Sequence, residues 1–471
     1  MSEPTQETKV AVIGAGPAGY AAAFRCADLG LKTTLIDPEA NPGGVCLYRG
    51  CIPSKALLHV AEVLQTSRDA ADWGLTFEPP TIDLDRLRGW KEEVVTGLTS
   101  GLGQLTRMRK VNQIRGTARF KDAHNLVVQP ESGESLTLKC EFAVIATGSK
   151  PVMIPGMPED SNRLWTSREA LSLPEIPKSL LIVGGGYIGL EMGTVYAALG
   201  SEVTVVEMTS GLLPGADRSL VRPLAKRLKS AFRGVRLDTR VSGAKETNNG
   251  LEVTLEAKGK KTTETFEIVL VAVGRQPFTQ GLNLDKAGVK LNDAGFVRVD
   301  EQRRTTADNV FAIGDVAGQP MLAHKGTHEG TTVAEIIAGR KLSFAPRAIP
   351  AVVFTQPEIA WCGLTESQAK EKKVAHQVLS FPWGASGRAR TLGFSDGITR
   401  LIVSADSGVV LGVGIVGPNA GELISEGTLA VELGAYAEDL AHTIHPHPTL
   451  SETLMESAEQ FEGLSTHTVR R

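Results

Sequence analysis

Two cysteines five positions apart stand in the run Gly43-Gly44-Val45-Cys46-Leu47-Tyr48-Arg49-Gly50-Cys51-Ile52-Pro53-Ser54-Lys55. Residues five apart in an unbroken α-helix have Cα atoms about 8.6 Å from each other, whereas a disulfide needs roughly 4.4–6.8 Å. A bridge between Cys46 and Cys51 therefore requires a distorted turn. Gly50 supplies the backbone freedom for one, and Pro53 suits the first turn of a helix starting just after it. The chemistry offered is that of a redox-active dithiol. The other reading is two small buried residues, since free cysteine often packs as a hydrophobe. Spacing alone leaves both open.

A second reactive stretch lies near the other end, His445-Pro446-His447-Pro448-Thr449-Leu450-Ser451-Glu452. Its prolines favour an extended chain through the histidines. Two histidines two apart on a strand share a face, so metal binding is one reading. The alternative is an acid–base histidine oriented by Glu452, which a dithiol elsewhere makes compelling, because thiol–disulfide exchange needs a proton acceptor. His324 and His328, four apart, suggest another metal pair, but no third ligand accompanies them. No metal is expected.

The elements that position these groups follow from pattern. Lys9 to Ile13 reads as a short buried strand running into Gly14-Ala15-Gly16-Pro17-Ala18-Gly19, then an alanine-rich helix to Gly30, then a strand over Leu31 to Ile36 closed by Asp37. Strand, GxGxxG, helix, strand and acid together form the dinucleotide fingerprint, with the pyrophosphate at the helix N-terminus and the acid on a ribose hydroxyl. The fingerprint returns at Leu180 to Val183, Gly184-Gly185-Gly186-Tyr187-Ile188-Gly189, a helix from Glu191 to Leu199 and a strand ending at Glu207. The spacing from first glycine to acid is 37 − 14 = 23 in one copy and 207 − 184 = 23 in the other. Two dinucleotide sites are implied. A carboxylate binds a free 2′-hydroxyl and repels a 2′-phosphate, so Glu207 points to NAD over NADP.

Between and beyond the fingerprints, residues 81–110 read as a long amphipathic helix with Trp90, Val94, Leu98 and Leu102 along one face, and a further helix is expected from Ala56. Strand-like segments over 111–145 end at Thr147-Gly148. Prolines at 151, 155, 158, 174 and 177 mark a linker. Strands over 235–274 and an apolar strand at Val310 to Ile313 follow, the latter running into Gly314-Asp315. A carboxylate at a strand's C-terminal end lies where open α/β sheets bind ligands. From about 347 the chain alternates strands with Gly/Asp turns, then a helical stretch at 419–434, an α+β pattern without a nucleotide motif.

The chain has 471 residues, too long for one core. It is 42% apolar and 22% charged, a globular balance, and its net charge of −3 gives no reason to expect nucleic acid or an anionic membrane surface. No apolar run approaches the roughly 18 residues of a membrane span, and Met1 to Lys9 carries no signal-peptide pattern. Five cysteines in so long a chain are no disulfide framework. A reducing, cytoplasmic setting fits, where a disulfide is usually catalytic.

Two dinucleotide folds, the CxxxxC stretch and the terminal HPTLSE together resemble the flavoprotein disulfide reductases over essentially the whole chain. Within them, Gly-Gly-Val-Cys through Cys-Ile-Pro-Ser-Lys-Ala-Leu resembles the bacterial dihydrolipoamide dehydrogenases. The resemblance implies an α/β fold of two Rossmann-like domains plus a C-terminal α+β dimerisation domain. The expected division is 1–150 for FAD, 151–275 for NAD, 276–346 completing the FAD domain and 347–471 for dimerisation. It implies oxidation of protein-bound dihydrolipoamide through a Cys46–Cys51 redox disulfide and FAD, with reduction of NAD+. His447 is then the base, supplied by the partner chain and oriented by Glu452. FAD contacts carry over to Gly14, Gly16, Gly19, Asp37, Lys55, Ala118, Thr147, Gly148, Asp315 and Ala323. NAD contacts carry over to Gly184, Gly186, Gly189, Glu191, Glu207, Val241 and Gly274. Implied partners are a second copy of the chain and the lipoyl domains of 2-oxoacid dehydrogenase complexes or the glycine cleavage system. A glutathione-reductase-like enzyme and a mainly structural flavin subunit are the alternatives. Two departures stand out. The family commonly has Asn-Val where this chain has Tyr48-Arg49, and glycine is frequent where it has Ala118. An arginine near the thiols would lower their pKa.

Overall fold

The computed structural model describes residues 4–468. The first sheet has a parallel core in the order Val310–Ala312, Leu136–Ile145, Thr5–Ile13, Thr33–Asp37 and Asn112–Asp122. Asn125–Pro130 pairs antiparallel with both Asn112–Asp122 and Leu136–Ile145. Val10, Ala11 and Val12 are fully buried, as expected of a strand covered on both faces. The chain thus leaves this sheet after Ile145 and returns to it at Val310.

The excursion between them builds a second parallel sheet, whose edge strand Leu164–Trp165 comes first in the chain rather than last: Leu164–Trp165, Ile268–Val271, Ser179–Val183, Glu202–Val206 and Gly234–Arg236. Ser149–Pro151 pairs with Arg275–Pro277 where the chain passes between the two units. An antiparallel ribbon of Thr239–Thr247, Gly250–Ala257 and Lys260–Phe266 flanks the second sheet. The last unit is a five-stranded antiparallel sheet over residues 351–417, backed by the helix Ala420–Leu433.

The two glycine turns are near copies. Gly14 has φ +100° and Gly184 φ +112°, and a Cβ on either would stand 2.4 Å from a carbonyl oxygen, of Ala146 or Ala272. No L side chain fits so close to backbone. Each turn leads into a helix, Pro17–Asp28 in the first unit and Tyr187–Leu199 in the second.

The helix after the cysteines begins at Cys51, not at Ala56, so Pro53 lies inside its first turn, where the missing N–H costs nothing. The long helix spans Leu84–Met108, capped by Asp83, whose side chain accepts from the Arg86 amide. Its packed face differs from the expected one. Lys91, Val95, Thr99, Gly103 and Thr106 are buried, while Trp90 is 38% and Leu98 46% exposed. Lys91 escapes the usual penalty by donating from Nζ to the Leu171 carbonyl at 2.7 Å. Among the described residues no helix is long and apolar enough to cross a membrane.

Candidate active site

The helix Gly44–Arg49 ends at Gly50, and a new helix, Cys51–Asp69, starts at once. Gly50 carries the break at φ −147°, ψ −113°, and a Cβ there would stand 2.8 Å from the Val45 carbonyl oxygen. This is the distorted turn that the cysteine spacing demands. It brings the two side chains into direct contact. Both are free thiols, near enough that each shifts the other's acidity.

Their interaction splits those acidities. With Cys46 donating, the Cys51 thiolate is stabilised and its pKa falls to about 7, against the opposing effect of burial, with the Lys55 ammonium helping. Donating to Cys51 pushes Cys46 the other way, and burial adds to this. The cation that matters here is Lys55. Arg49 is turned to Glu39 in an ion pair. The expectation that an arginine between the cysteines lowers their pKa therefore fails on geometry.

Lys55 is itself held. Its Nζ lies 2.9 Å from Glu191 Oε2 and 4.3 Å from the centroid of the Phe354 ring. The Phe354 amide donates to the other Glu191 oxygen at 3.1 Å. Glu191 is 3% exposed, a buried carboxylate satisfied from two sides. Three units of the fold meet at this ion pair: Lys55 from the first, Glu191 from the second and Phe354 from the C-terminal one. Nothing in the spacing of Phe354 singles it out in the sequence.

Reduced, flavin-free protein treated with iodoacetamide should therefore be alkylated first at Cys51, with a half-maximal rate near pH 7. Lys55→Met should move that midpoint upward, because removing the ammonium favours the protonated thiol. Peptide mapping across a pH series reads both. Cys46 modified ahead of Cys51 at pH 7 would contradict the split.

The dithiol opens on a cavity of about 740 Å³. Its lining includes Gly14, Gly16, Asp37, Lys55, Ala118, Thr147, Gly148, Asp315 and Ala323, so nine of the positions implied for FAD share one wall system with Cys46 and Cys51. Gly19 stands behind it as a packing residue, where a Cβ would meet the Gly14 carbonyl oxygen at 1.8 Å. Asp37 accepts from the Ala15 amide at 2.7 Å and from the Glu39 amide at 2.9 Å, and burial raises its pKa despite these bonds. Above Gly16 the nearest heavy atom to a would-be Cβ is Gly44 Cα at 3.9 Å. That leaves a bare helix N-terminus facing open space, the shape and polarity a pyrophosphate needs. The residues present fit FAD.

At the cavity's other wall, Ser149 donates to Asp315 Oδ2 at 2.5 Å and accepts from Arg275 Nε at 2.7 Å. Behind Asp315, the buried Glu329 accepts from the Gly314 amide at 2.6 Å and pairs with Lys325 at 2.9 Å. Neither contact was read from the sequence; both follow from residues adjoining motifs that were.

The second turn repeats the first in its polar contacts. Glu207 accepts from the Gly185 amide at 2.7 Å and from the Thr209 amide at 2.8 Å, the counterparts of the Ala15 and Glu39 bonds. Gly186 has no heavy atom within 4 Å of a would-be Cβ, and Gly189 packs on the Gly184 carbonyl. Val241 lies half-buried in the flanking ribbon, and Gly274 is exposed at φ +137°. Nearby arginines are engaged elsewhere: Arg218 with the carbonyls of Leu212, Leu213 and Ala216, and Arg236 with Glu264. Glu191 lines the cavity of the first turn, beside Cys51.

Near the C-terminus, His447 Nδ1 lies 2.8 Å from Glu452 Oε1, and Glu452 Oε2 accepts from the Thr449 amide at 2.7 Å. Burial alone would raise the Glu452 pKa. The Thr449 amide and His447 outweigh it, and the carboxyl is held below its ordinary range. The histidine run is a loop, not a strand. Its two rings therefore do not share a face. The His445 side chain is 5% exposed against Glu426, while that of His447 is 73% exposed. His324 Nε2 donates to the Pro350 carbonyl at 2.7 Å. Among the described residues no group of three or more His, Cys, Asp or Glu side chains could hold a metal ion. The His447–Glu452 pair is absent from the lining of its own chain's dithiol cavity. Leu433, Tyr436 and Ile444, on the same C-terminal unit, are 71%, 50% and 95% exposed.

Residues 8–330 match the pyridine nucleotide-disulphide oxidoreductase family and residues 349–458 its dimerisation domain. The chain belongs to this family. Among the oxidoreductases it is similar to the dihydrolipoyl dehydrogenase of Haemophilus influenzae, 49% identical over 98% of this chain and 96% of that one. That of Vibrio parahaemolyticus is 47% identical over 98% and 97%. Among solved structures, LpdA of Mycobacterium tuberculosis superposes with a TM-score of 0.89 at 26% identity, covering 96% of this chain and 99% of that one. The HOCl-induced flavoprotein disulfide reductase RclA of Escherichia coli does so with 0.83 at 29%, covering 95% and 98%. The two-sheet architecture with an antiparallel dimerisation unit is thus that of the family.

Proposed function

We propose that the chain is an NAD-dependent dihydrolipoamide dehydrogenase that works as a homodimer, and that the cytoplasm is its setting. The observation that carries the chemistry is the Cys46–Cys51 contact at the mouth of a dinucleotide cavity, with one thiol's pKa lowered and the other's raised. The near-full-length likeness to dihydrolipoyl dehydrogenases selects the substrate.

In this reading Gly14, Gly16, Asp37, Ala118, Thr147, Gly148, Asp315 and Ala323 hold FAD, with Gly19 packing the turn. Gly184, Gly186, Gly189, Glu207, Val241 and Gly274 hold NAD, with Glu191 at the junction. Bound there, FAD supplies the two-electron relay between the dithiol and the nicotinamide. His447 of the partner subunit takes the proton from one substrate thiol. The thiolate attacks Cys46 Sγ of the oxidised pair, forming a mixed disulfide and releasing Cys51 as a thiolate. Lys55, braced by Glu191, offsets that charge. The second substrate thiol attacks the substrate sulfur of the mixed disulfide, which closes the lipoamide ring and returns Cys46 as a thiol. One dithiol is oxidised and one disulfide reduced, and the two protons remain on His447 and Cys46. Glu452 keeps the imidazole oriented and stabilises its protonated form. The electron donor presented to this site is the lipoyl group of a carrier domain.

The deciding experiment compares NAD+ reduction by dihydrolipoamide with NADPH oxidation by glutathione disulfide. Fast turnover of the first and none of the second is expected; the reverse would replace the reading with a glutathione-reductase type. Cofactor choice rests on Glu207. Glu207→Ala should narrow the NAD-over-NADP preference in kcat/KM by about tenfold, the equivalent of roughly 1.4 kcal/mol. Equal efficiency with both nucleotides in the unmutated enzyme would refute the assignment of that carboxylate.

A further inference from the structure

We infer that Arg49, in the turn between the two cysteines, binds the adenosine diphosphate half of the dinucleotide in the first cavity. The inference rests on the reading of that cavity as the FAD site. The helix Gly44–Arg49 begins against the fingerprint turn: a Cβ on Gly44 would stand 2.5 Å from Gly16 Cα. It therefore starts where a pyrophosphate lies and carries Arg49 at its far end. The Arg49 side chain pairs through Nη2 with Glu39, two residues past the ribose-binding acid, Asp37. Arg49, Glu39 and Asp37 all line the cavity.

Three observations separate Arg49 from an ordinary surface ion pair. Its Nε is buried and has no hydrogen-bond partner. The guanidinium is near enough to Asp37 to lower that residue's pKa. The dithiol makes no use of it, since Lys55 supplies the cation there. A guanidinium offers five N–H donors, and one carboxylate cannot engage them all. Its planar fork matches a phosphate, and turning from Glu39 toward one would give the water-shielded, unpartnered Nε an acceptor and remove its desolvation cost. Glu39 then acts as a counterweight. It holds Arg49 at the cavity edge in the ligand's absence and competes with the phosphate for it.

The test starts from holoenzyme stripped of flavin, with FAD, ADP and FMN each titrated back by quenching of protein fluorescence at low and at high salt. Arg49→Val should weaken FAD and ADP about tenfold, leave FMN unchanged and flatten the salt dependence. Glu39→Gln frees the guanidinium and removes a negative charge, so it should tighten both FAD and ADP. Arg49→Val binding ADP as tightly as the unmutated protein would overturn the inference. So would equal losses for ADP and FMN, or a Glu39→Gln that loosens ADP, since either makes the pair a structural brace. If the unmutated protein takes up no FAD at all, it is the FAD reading of the cavity that falls.

Discussion

His447→Gln should cut dihydrolipoamide turnover by about 10²–10⁴-fold, the usual cost of losing a general base, while bound flavin absorbance stays intact. The dyad geometry sets the expectation. His447 Nδ1 faces Glu452 at 2.8 Å, which leaves Nε2 on a ring that is 73% exposed. Glutamine keeps a hydrogen bond to Glu452 but cannot take the substrate thiol's proton. His445→Gln is the control. That ring is buried between Glu426 and the Thr443 carbonyl, with no free face for a substrate. Its loss should appear as a destabilisation of about 1–3 kcal/mol, the cost of leaving a buried partner unsatisfied, with a much smaller change in turnover. A larger turnover loss at His445 than at His447 would mean that the roles are reversed.

The cysteine variants should show the second large effect. Cys46→Ser and Cys51→Ser should each lower dihydrolipoamide oxidation by at least about 10³-fold, and the double variant should be no worse than either, because groups that act as one unit are non-additive. NADH-dependent reduction of an artificial acceptor should survive in all three, since that route bypasses sulfur. The variants should differ in acidity. Cys51→Ser replaces the thiolate facing Cys46 with a neutral hydroxyl, a weaker acceptor without charge, so the upward shift of Cys46 should shrink. Cys46→Ser keeps a hydroxyl donor and Lys55 beside Cys51, and Cys51 should remain the more acidic of the two isolated thiols. Thiolate absorbance near 240 nm, followed against pH, reads this. Full lipoamide turnover in either single variant would remove the dithiol from the mechanism.

Much of this site was legible in the sequence because its parts are local. A glycine turn followed by a helix, with an acid 23 residues after the first glycine, is a short-range pattern, and both copies fold as read. The Cys46–Cys51 spacing demanded a broken turn, and Gly50 provides it. What escaped was set by tertiary contact. The apolar spacing along Leu84–Met108 named the wrong face, because buried Lys91 and Thr99 satisfy their polar atoms on backbone carbonyls. Arg49 sits between the cysteines in sequence, but its partner Glu39 lies on the other side of the turn. Phe354 acts through its backbone amide on Glu191, 163 residues away, and through its ring face on Lys55, 354 − 55 = 299 residues away, and no local pattern marks it. The histidine loop was misread as extended because proline restricts single residues without fixing the path of a loop.

The exposure of Leu433, Tyr436 and Ile444 in the isolated chain carries a thermodynamic consequence. If the partner subunit covers these side chains and supplies the histidine, subunit association enters the folding free energy by mass action. The apparent melting temperature should then climb with protein concentration, and activity per chain should decline on dilution more steeply than flavin is lost.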